Sequence, residues 1–155
     1  MRKFLVSVAL ASLSVVAFAS ATATKEDVKA LVKQAVTFVK ANGRDQFFKE
    51  VRVSEGQFHF RIGTKKDLYI FVYDEKGTVL AHGARVDLNG RNRWNDKDPD
   101  GKAWIQDWTD LVHKSGSGWI GYKEFSPADK NKVMDKASFV ELTDGMVIGC
   151  GIYGK

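Results

Sequence analysis

Cysteine is almost missing from these 155 residues, with Cys150 standing alone. A single cysteine cannot close an internal disulfide. The sequence also lacks a CxxCH step and any Cys/His pairs at zinc spacing, which argues against covalent haem and a structural zinc centre. Cys150 lies in the apolar stretch MVIGCGIY and is expected to behave as a small buried hydrophobe. Histidine is scarce as well. His59, His82 and His113 are scattered, and no Ser/His/Asp or Cys/His constellation is legible, so the chain does not read as an enzyme and no catalytic residue is assigned. Runs of one charge sign are missing, as are internal repeats and low-complexity tracts. The formal net charge of +5 is spread through a mixed-sign sequence, which argues against a nucleic-acid partner.

Long hydrophobic runs are missing too, except at the start. MRKFLVSVALASLSVVAFASATA opens on Arg2 and Lys3, turns apolar at Phe4 and closes on Ala-x-Ala steps. This is the layout of a secretory signal peptide, assigned to residues 1–23. The apolar run falls short of the roughly 20 residues of a membrane span, and no cysteine stands at the cleavage region for a lipid anchor. The expectation is an exported, periplasmic protein without a membrane anchor, whose mature part is a single domain over residues 24–155. Removing Arg2 and Lys3 takes two charges away and leaves a formal net charge of +3.

The mature part carries clear local patterns. Thr24 with Asp27 forms an approximate capping box. Val28, Leu31, Val32, Ala35, Val36 and Val39 then recur at helical spacing until Asn42-Gly43. RDQFFKEV reads as a second, short helix and QFHFRIG as a weak edge strand. DLYIFVYDEKGTVLAHG is a hairpin turning at DEKG. Alternation places Leu68, Ile70 and Val72 on one face of its first strand and Tyr69, Phe71 and Tyr73 on the other, so both faces are covered. A polar connection leads to a helix with Trp104, Ile105, Trp108, Leu111 and Val112 on one side. WIGYKEF is a strand. KASFVELTDGMVIGCGIY is a second hairpin, turning at Thr143-Asp144-Gly145. The predicted fold is α+β, a five-stranded antiparallel sheet with a long N-terminal helix and a cup for a small ligand on the loop side.

NDKDPDGKAWIQD nearly matches a calcium loop, with Asp96, Asp98 and Asp100 followed by Asp107 at the twelfth position. Such a loop wants a longer Glu there, and helices on both sides. Pro99 interrupts it, and Lys97 and Lys102 would oppose a cation. The simpler expectation is that Asp100 or a neighbour caps the following helix, and that no metal or other cofactor is bound. An exported calcium-binding or adhesion module and a small exported enzyme are the alternative functions.

The ordered set DLYIFVYDEKGTVLAHG, GRN, DPDGKAWIQD, GSGWIGYKEFSP and SFVELTDGMVIGCGIY resembles the single Cache domain family, the PAS-like extracytoplasmic ligand-sensing modules of bacterial chemoreceptors and sensor kinases. The resemblance runs from about Lys25 to Tyr153. It departs at His82-Gly83, where the family often has His-Pro, and at Tyr122-Lys-Glu124-Phe125, where a second aromatic often follows the tyrosine. It implies a pocket for a small organic molecule, often a carboxylate, and a membrane receptor or sensor kinase as partner. The expected ligand-binding residues are Tyr122 as a hydrogen-bond donor, Lys136 as a cation, and His82 as a further source of positive charge. Tyr69 and Phe71 would form one wall, with Leu68, Ile70 and Val72 as the other possible inner face. The competing readings are a solvated strand-end lysine for Lys136 and an ordinary hydrogen-bonded histidine for His82.

Overall fold

The computed structural model describes residues 23–54, 56–61, 67–126, 129 and 131–154. Apart from Ala23, the expected signal peptide lies outside these residues.

Helix α1 spans Lys25–Asn42. Its capping box is closed in both directions: Asp27 N donates to Thr24 Oγ1 at 3.1 Å, and Thr24 N donates to Asp27 Oδ2 at 2.7 Å. The six apolar residues at helical spacing are all buried. Gly43, at φ +79°, ends the helix and leads into α2, Arg44–Val51. Phe47 of α2 meets Phe38 and Phe58 through tilted and edge contacts.

Two short strands follow, β1 (His59–Arg61) and β2 (Asp67–Tyr69), paired antiparallel as a separate two-stranded sheet. Then come β3 (Phe71–Asp74), β4 (Val79–His82), a 3-10 turn at Val86–Leu88, helix α3 (Trp104–Ser115), β5 (Ser117–Phe125), β6 (Val133–Thr143) and β7 (Met146–Tyr153). The last five strands make one antiparallel sheet in the order β4-β3-β7-β6-β5. The expected five-stranded sheet is present. The run expected as one strand from Leu68 to Tyr73 is divided at Ile70, because it changes partners there. Ile70 N donates to Phe58 O on one side, and Ile70 O accepts from Gly83 N on the other.

Both hairpin turns have the chemistry that their residues suggest. Asp74 Oδ1 accepts from Lys76 N and Thr78 N, at 2.9 and 2.7 Å. The second hairpin uses Asp144-Gly145, both at positive φ, and Thr143 pairs with Met146.

The two sheet faces pack differently. On one, α1 and α2 cover Leu68, Ile70, Val72, Phe139, Met146, Ile148 and Cys150. On the other, α3 brings Trp104, Ile105, Trp108 and Val112 against Tyr69, Phe71, Tyr73, Tyr122, Val140 and Val147. The aromatic face therefore points toward α3 and the 83–103 connection.

That connection corrects one expectation. Ala103 is the N-cap of α3, with no side-chain cap bond. Asp98 instead ties the loop to the sheet edge. Its carboxylate accepts from Asp100 N and Lys102 N, at 2.9 and 2.8 Å, and from Lys123 N of the outer strand β5, at 2.9 Å. Lys102 Nζ donates to Gly121 O at 2.6 Å. Unpaired backbone groups of an edge strand are a pairing hazard, and here the loop occupies two of them. Asp96 pairs with Arg93, Asp100 with Lys123, and Asp107 lies 3.7 Å from Lys102. Among the described residues, no group of three or more Asp, Glu, His and Cys side chains is placed to hold a metal.

Candidate ligand-binding site

Strand alternation sends Lys136 of β6 to the aromatic face, in register with Tyr122 of β5 and Tyr153 of β7. It is 3% exposed, so the reading as a solvated strand-end lysine does not hold. Its Nζ donates to Tyr69 Oη at 2.9 Å. Four rings surround the ammonium: Tyr153 at 4.8 Å, Tyr69 at 5.0 Å, Phe71 at 5.6 Å and Tyr122 at 5.8 Å. Glu124 Oε2 is 4.0 Å away. Burial opposes the charge, but the surrounding Tyr122, Tyr69 and Tyr153 and the Glu124 carboxylate outweigh it and hold the Lys136 pKa above the ordinary lysine value. Burial pushes the Tyr69 and Tyr122 phenols up in turn, so both stay neutral donors.

Two glycines of β7 make this possible. A Cβ at Gly151 would lie 2.3 Å from Ser138 Oγ and 2.9 Å from Lys136 Cε, and one at Gly149 would lie 2.3 Å from the Phe71 ring. The Gly-x-Gly spacing in MVIGCGIY clears one face for the lysine stem and the aromatic ring, while Cys150 between them faces the opposite core.

Next to this cluster lies a cavity of about 60 Å³, lined by Tyr69, His82, Ala84, Arg85, Leu88, Arg93, Glu124, Phe125, Ser126 and Tyr153. Tyr69 Oη and Tyr153 Oη are 3.1 Å apart at its inner end. Arg85 makes a two-pronged contact with Asp87, at 2.8 and 2.7 Å. Arg93 donates through Nε to Asp96 at 2.8 Å and through Nη1 to Tyr73 Oη at 3.2 Å, with its guanidinium over Trp104 at 5.2 Å. Guanidinium groups suit carboxylate recognition because their donors form a planar fork.

His82 stacks near Tyr69 and Phe71, and its Nδ1 accepts from Arg85 N at 2.9 Å. That bond leaves Nε2 as the protonated nitrogen. Burial, then the positive Lys136, Arg93 and Arg85, hold its pKa well below 6.5. His82 is therefore a neutral donor. The expectation that it supplies positive charge is corrected by its burial and its cationic surroundings.

Of the expected residues, Tyr69 and His82 line the cavity, and Lys136 stands behind Tyr69. Phe71 and Tyr122 form part of the ring around the lysine. Tyr122 Oη pairs with Ser138 Oγ at 3.1 Å, and its ring stacks on Trp104 at 5.5 Å, away from the cavity wall. The inner face is the Tyr69, Phe71 and Tyr73 one; Leu68, Ile70 and Val72 belong to the α1 core. Sequence reasoning missed Arg85, Arg93, Glu124 and Tyr153. The arginines stand in the expected loop, but nothing local told them from other surface cations. Tyr153 was within reach, since it shares the parity of Gly151.

A second hollow, about 470 Å³ and open to solvent, lies at the lower end of β5, β6 and β7, over Gly121, Ala137 and Ile152 and beside Asp98, Asp100 and Lys102. Tyr122, Lys136 and Tyr153 form part of its wall as well, while its Asp98, Asp100, Lys102 and Lys123 are already paired with one another or with backbone. The smaller cavity is the better candidate because the Arg85 and Arg93 guanidinium groups, the buried His82 and the Tyr69 and Tyr153 hydroxyls converge there, with Lys136 behind its Tyr69 wall.

The sequence matches the family model described as Single Cache domain 2 over residues 3–155. The chain belongs to this family. The resemblance in the ordered motifs is thus borne out, and the fold agrees. This Cache domain superposes with a TM-score of 0.66 on a Cache chemosensory domain described for carboxylic acid recognition, at 23% identity, covering 84% of this chain and 92% of that one. It superposes at 0.68 on a methyl-accepting chemotaxis protein from Vibrio parahaemolyticus, at 24% identity, covering 83% and 87%. A periplasmic sensor domain of a chemotaxis protein aligns at 0.65, with 23% identity, covering 84% and 90%. At these identities the structural likeness speaks for the fold. A curated relative, the sensor histidine kinase MctS of Rhizobium johnstonii, is 36% identical over 90 residues. Those residues are 57% of this chain and 19% of the relative, so the likeness concerns a part of that kinase. Cache domains are extracytoplasmic ligand-sensing modules, and these relatives are sensors. None of the described helices is long and apolar enough to cross a membrane.

Proposed function

We propose that this Cache domain binds a small organic carboxylate in the cavity between the aromatic sheet face and the 83–93 loop, as the sensing step for a membrane receptor or sensor kinase. The observation that carries this reading is the buried Lys136 ammonium, held by Tyr69 at 2.9 Å behind the wall of a cavity lined by Arg85 and Arg93. A buried charge is costly unless it is paired, and the loose 4.0 Å approach of Glu124 leaves Lys136 able to take an anion. In this reading the Lys136 ammonium supplies the attraction. Tyr69, Tyr153 and the neutral His82 supply directed donors, Arg85 and Arg93 flank the mouth, and Tyr122 and Phe71 position the lysine.

The kinship with sensor modules and the carboxylic acid recognition described for one structural neighbour support the assignment. The leader pattern of residues 1–23 supports a periplasmic location. A thermal-shift and calorimetric screen of short organic acids, amines and sugars tests the ligand class. At least one acid should stabilise the protein, and Lys136→Met should remove that stabilisation. Hits confined to amines or sugars would reject the carboxylate assignment.

A further inference from the structure

We infer that Glu124 is the specificity-determining residue of the cavity, and that it selects carboxylates bearing a hydroxyl on the adjacent carbon over plain short-chain acids. This rests on the carboxylate reading above and narrows it.

The starting point is the pairing of charges around the cavity. Arg85 has Asp87 at 2.7 Å and Arg93 has Asp96 at 2.8 Å, so each arginine carries its own carboxylate. Among the described residues, the only carboxylate near Lys136 is Glu124, at 4.0 Å, which is beyond hydrogen-bond distance. Glu124 lines the cavity, its side chain is 24% exposed, and among the described residues it meets no hydrogen-bond donor. The cavity thus contains an acceptor-only group 4.0 Å from the least committed cation, which stands behind the Tyr69 wall.

A ligand carboxylate drawn toward Lys136 and bonded to the Tyr69 hydroxyl at the cavity wall comes close to Glu124. Two carboxylates facing one ammonium repel each other, and an acid with only an alkyl remainder offers nothing to offset that. A hydroxyl on the carbon next to the carboxylate donates to Glu124 while the carboxylate stays on the Tyr69 hydroxyl in front of Lys136. A site built to hydrogen-bond a substrate hydroxyl discriminates strongly against the analogue that lacks it, because its own polar group is then left unpaired. The cavity, at about 60 Å³, accommodates a short chain.

The test is calorimetric titration of the whole domain with two matched pairs, glycolate against acetate and lactate against propionate. The wild type should bind the hydroxy acid at least about tenfold more tightly in each pair, the scale of one hydrogen bond to a charged group. In Glu124→Ala the preference should collapse to about twofold or less, with the plain acids binding more tightly than they do to the wild type. Glu124→Gln, which keeps the size but removes the charge, should also bind the plain acids more tightly. Equal wild-type affinities within each pair, or a preference that survives in Glu124→Ala, would overturn the role of Glu124 and leave the carboxylate reading intact. Tighter binding of glycine and alanine than of glycolate and lactate would overturn the hydroxyl assignment. A wild type that binds none of the four acids, yet binds amines or sugars, would remove the carboxylate reading and this inference together.

Discussion

The two faces of one sheet are built to different ends from the same strands. Toward α1, buried positions are aliphatic, sulfur-bearing or phenylalanine, and Ile148, Met146 and Cys150 are fully covered. Toward α3, the burial is as complete, but the side chains carry polar tips: Tyr69, Tyr73 and Tyr122, with Lys136, Ser138 and His82 among them. The first face stabilises through apolar contact. The second gives up part of that gain to hold a charge and a row of hydroxyls out of water. Equal burial therefore does not mean equal purpose, and substitutions on the two faces should fail in different ways.

The largest effect should come from the apolar face. Ile148→Ala, at a fully buried site, should lower unfolding free energy by about 2–5 kcal/mol, measured by urea denaturation, with ligand affinity unchanged in the protein that remains folded. Lys136→Met should do the reverse. Replacing a buried charge by an apolar group of similar length is often neutral or stabilising, so the melting temperature should hold or rise. Binding of the organic acid should fall by about 1.5–3 kcal/mol, the value of a hydrogen bond to a charged group. A strong loss of stability with intact binding would erase the distinction between the faces.

Asp98 serves neither face but the edge of the sheet. Asp98→Ala would leave Asp100 N, Lys102 N and Lys123 N without their acceptor, and should cost about 1–3 kcal/mol. Millimolar calcium or chelator should leave the melting temperature of the wild type unchanged. A calcium-dependent rise that disappears in Asp98→Ala would restore the metal-loop alternative.

Acid should act through the polar face. The His82 pKa is lowered in the folded state from its ordinary 6.5. Its contribution to stability is therefore present above about pH 6.5 and is lost as the pH falls through the lower folded value, because the unfolded chain takes up the proton first. His82→Asn should flatten that part of the stability profile in denaturation series at stepped pH. The smallest effect is chemical. Burial pushes the Cys150 thiol up to about 12, so the native protein should react with a thiol reagent only as fast as it opens.

Local pattern carried the elements a long way. The Thr24–Asp27 capping box, the helical spacing of Val28 through Val39, the Asp144-Gly145 turn and the alternation in both hairpins each work through neighbours within a few residues, so they can be read along the chain. The ordered motifs went further and pointed to the family. The site was only half legible. Tyr69, Phe71, His82, Tyr122 and Lys136 were singled out, yet their roles were not assignable before packing was known. Tyr122 turned to Ser138, His82 was held neutral by burial and by three nearby cations, and Lys136 was buried. Arg85, Arg93 and Glu124 look like surface charges in one dimension.

What the sequence determined alone is the set of helices, turns and strand faces, because hydrogen bonds and side-chain periodicity within an element depend on residues a few positions apart. Only the tertiary structure decided which of the two strand faces became the site, which cation lost its water, and that an aspartate in a calcium-like loop seals a strand edge. Those outcomes depend on groups brought together from distant parts of the chain, as with Lys136 and Tyr69 or Asp98 and Lys123, and desolvation and charge pairing exist only once they meet.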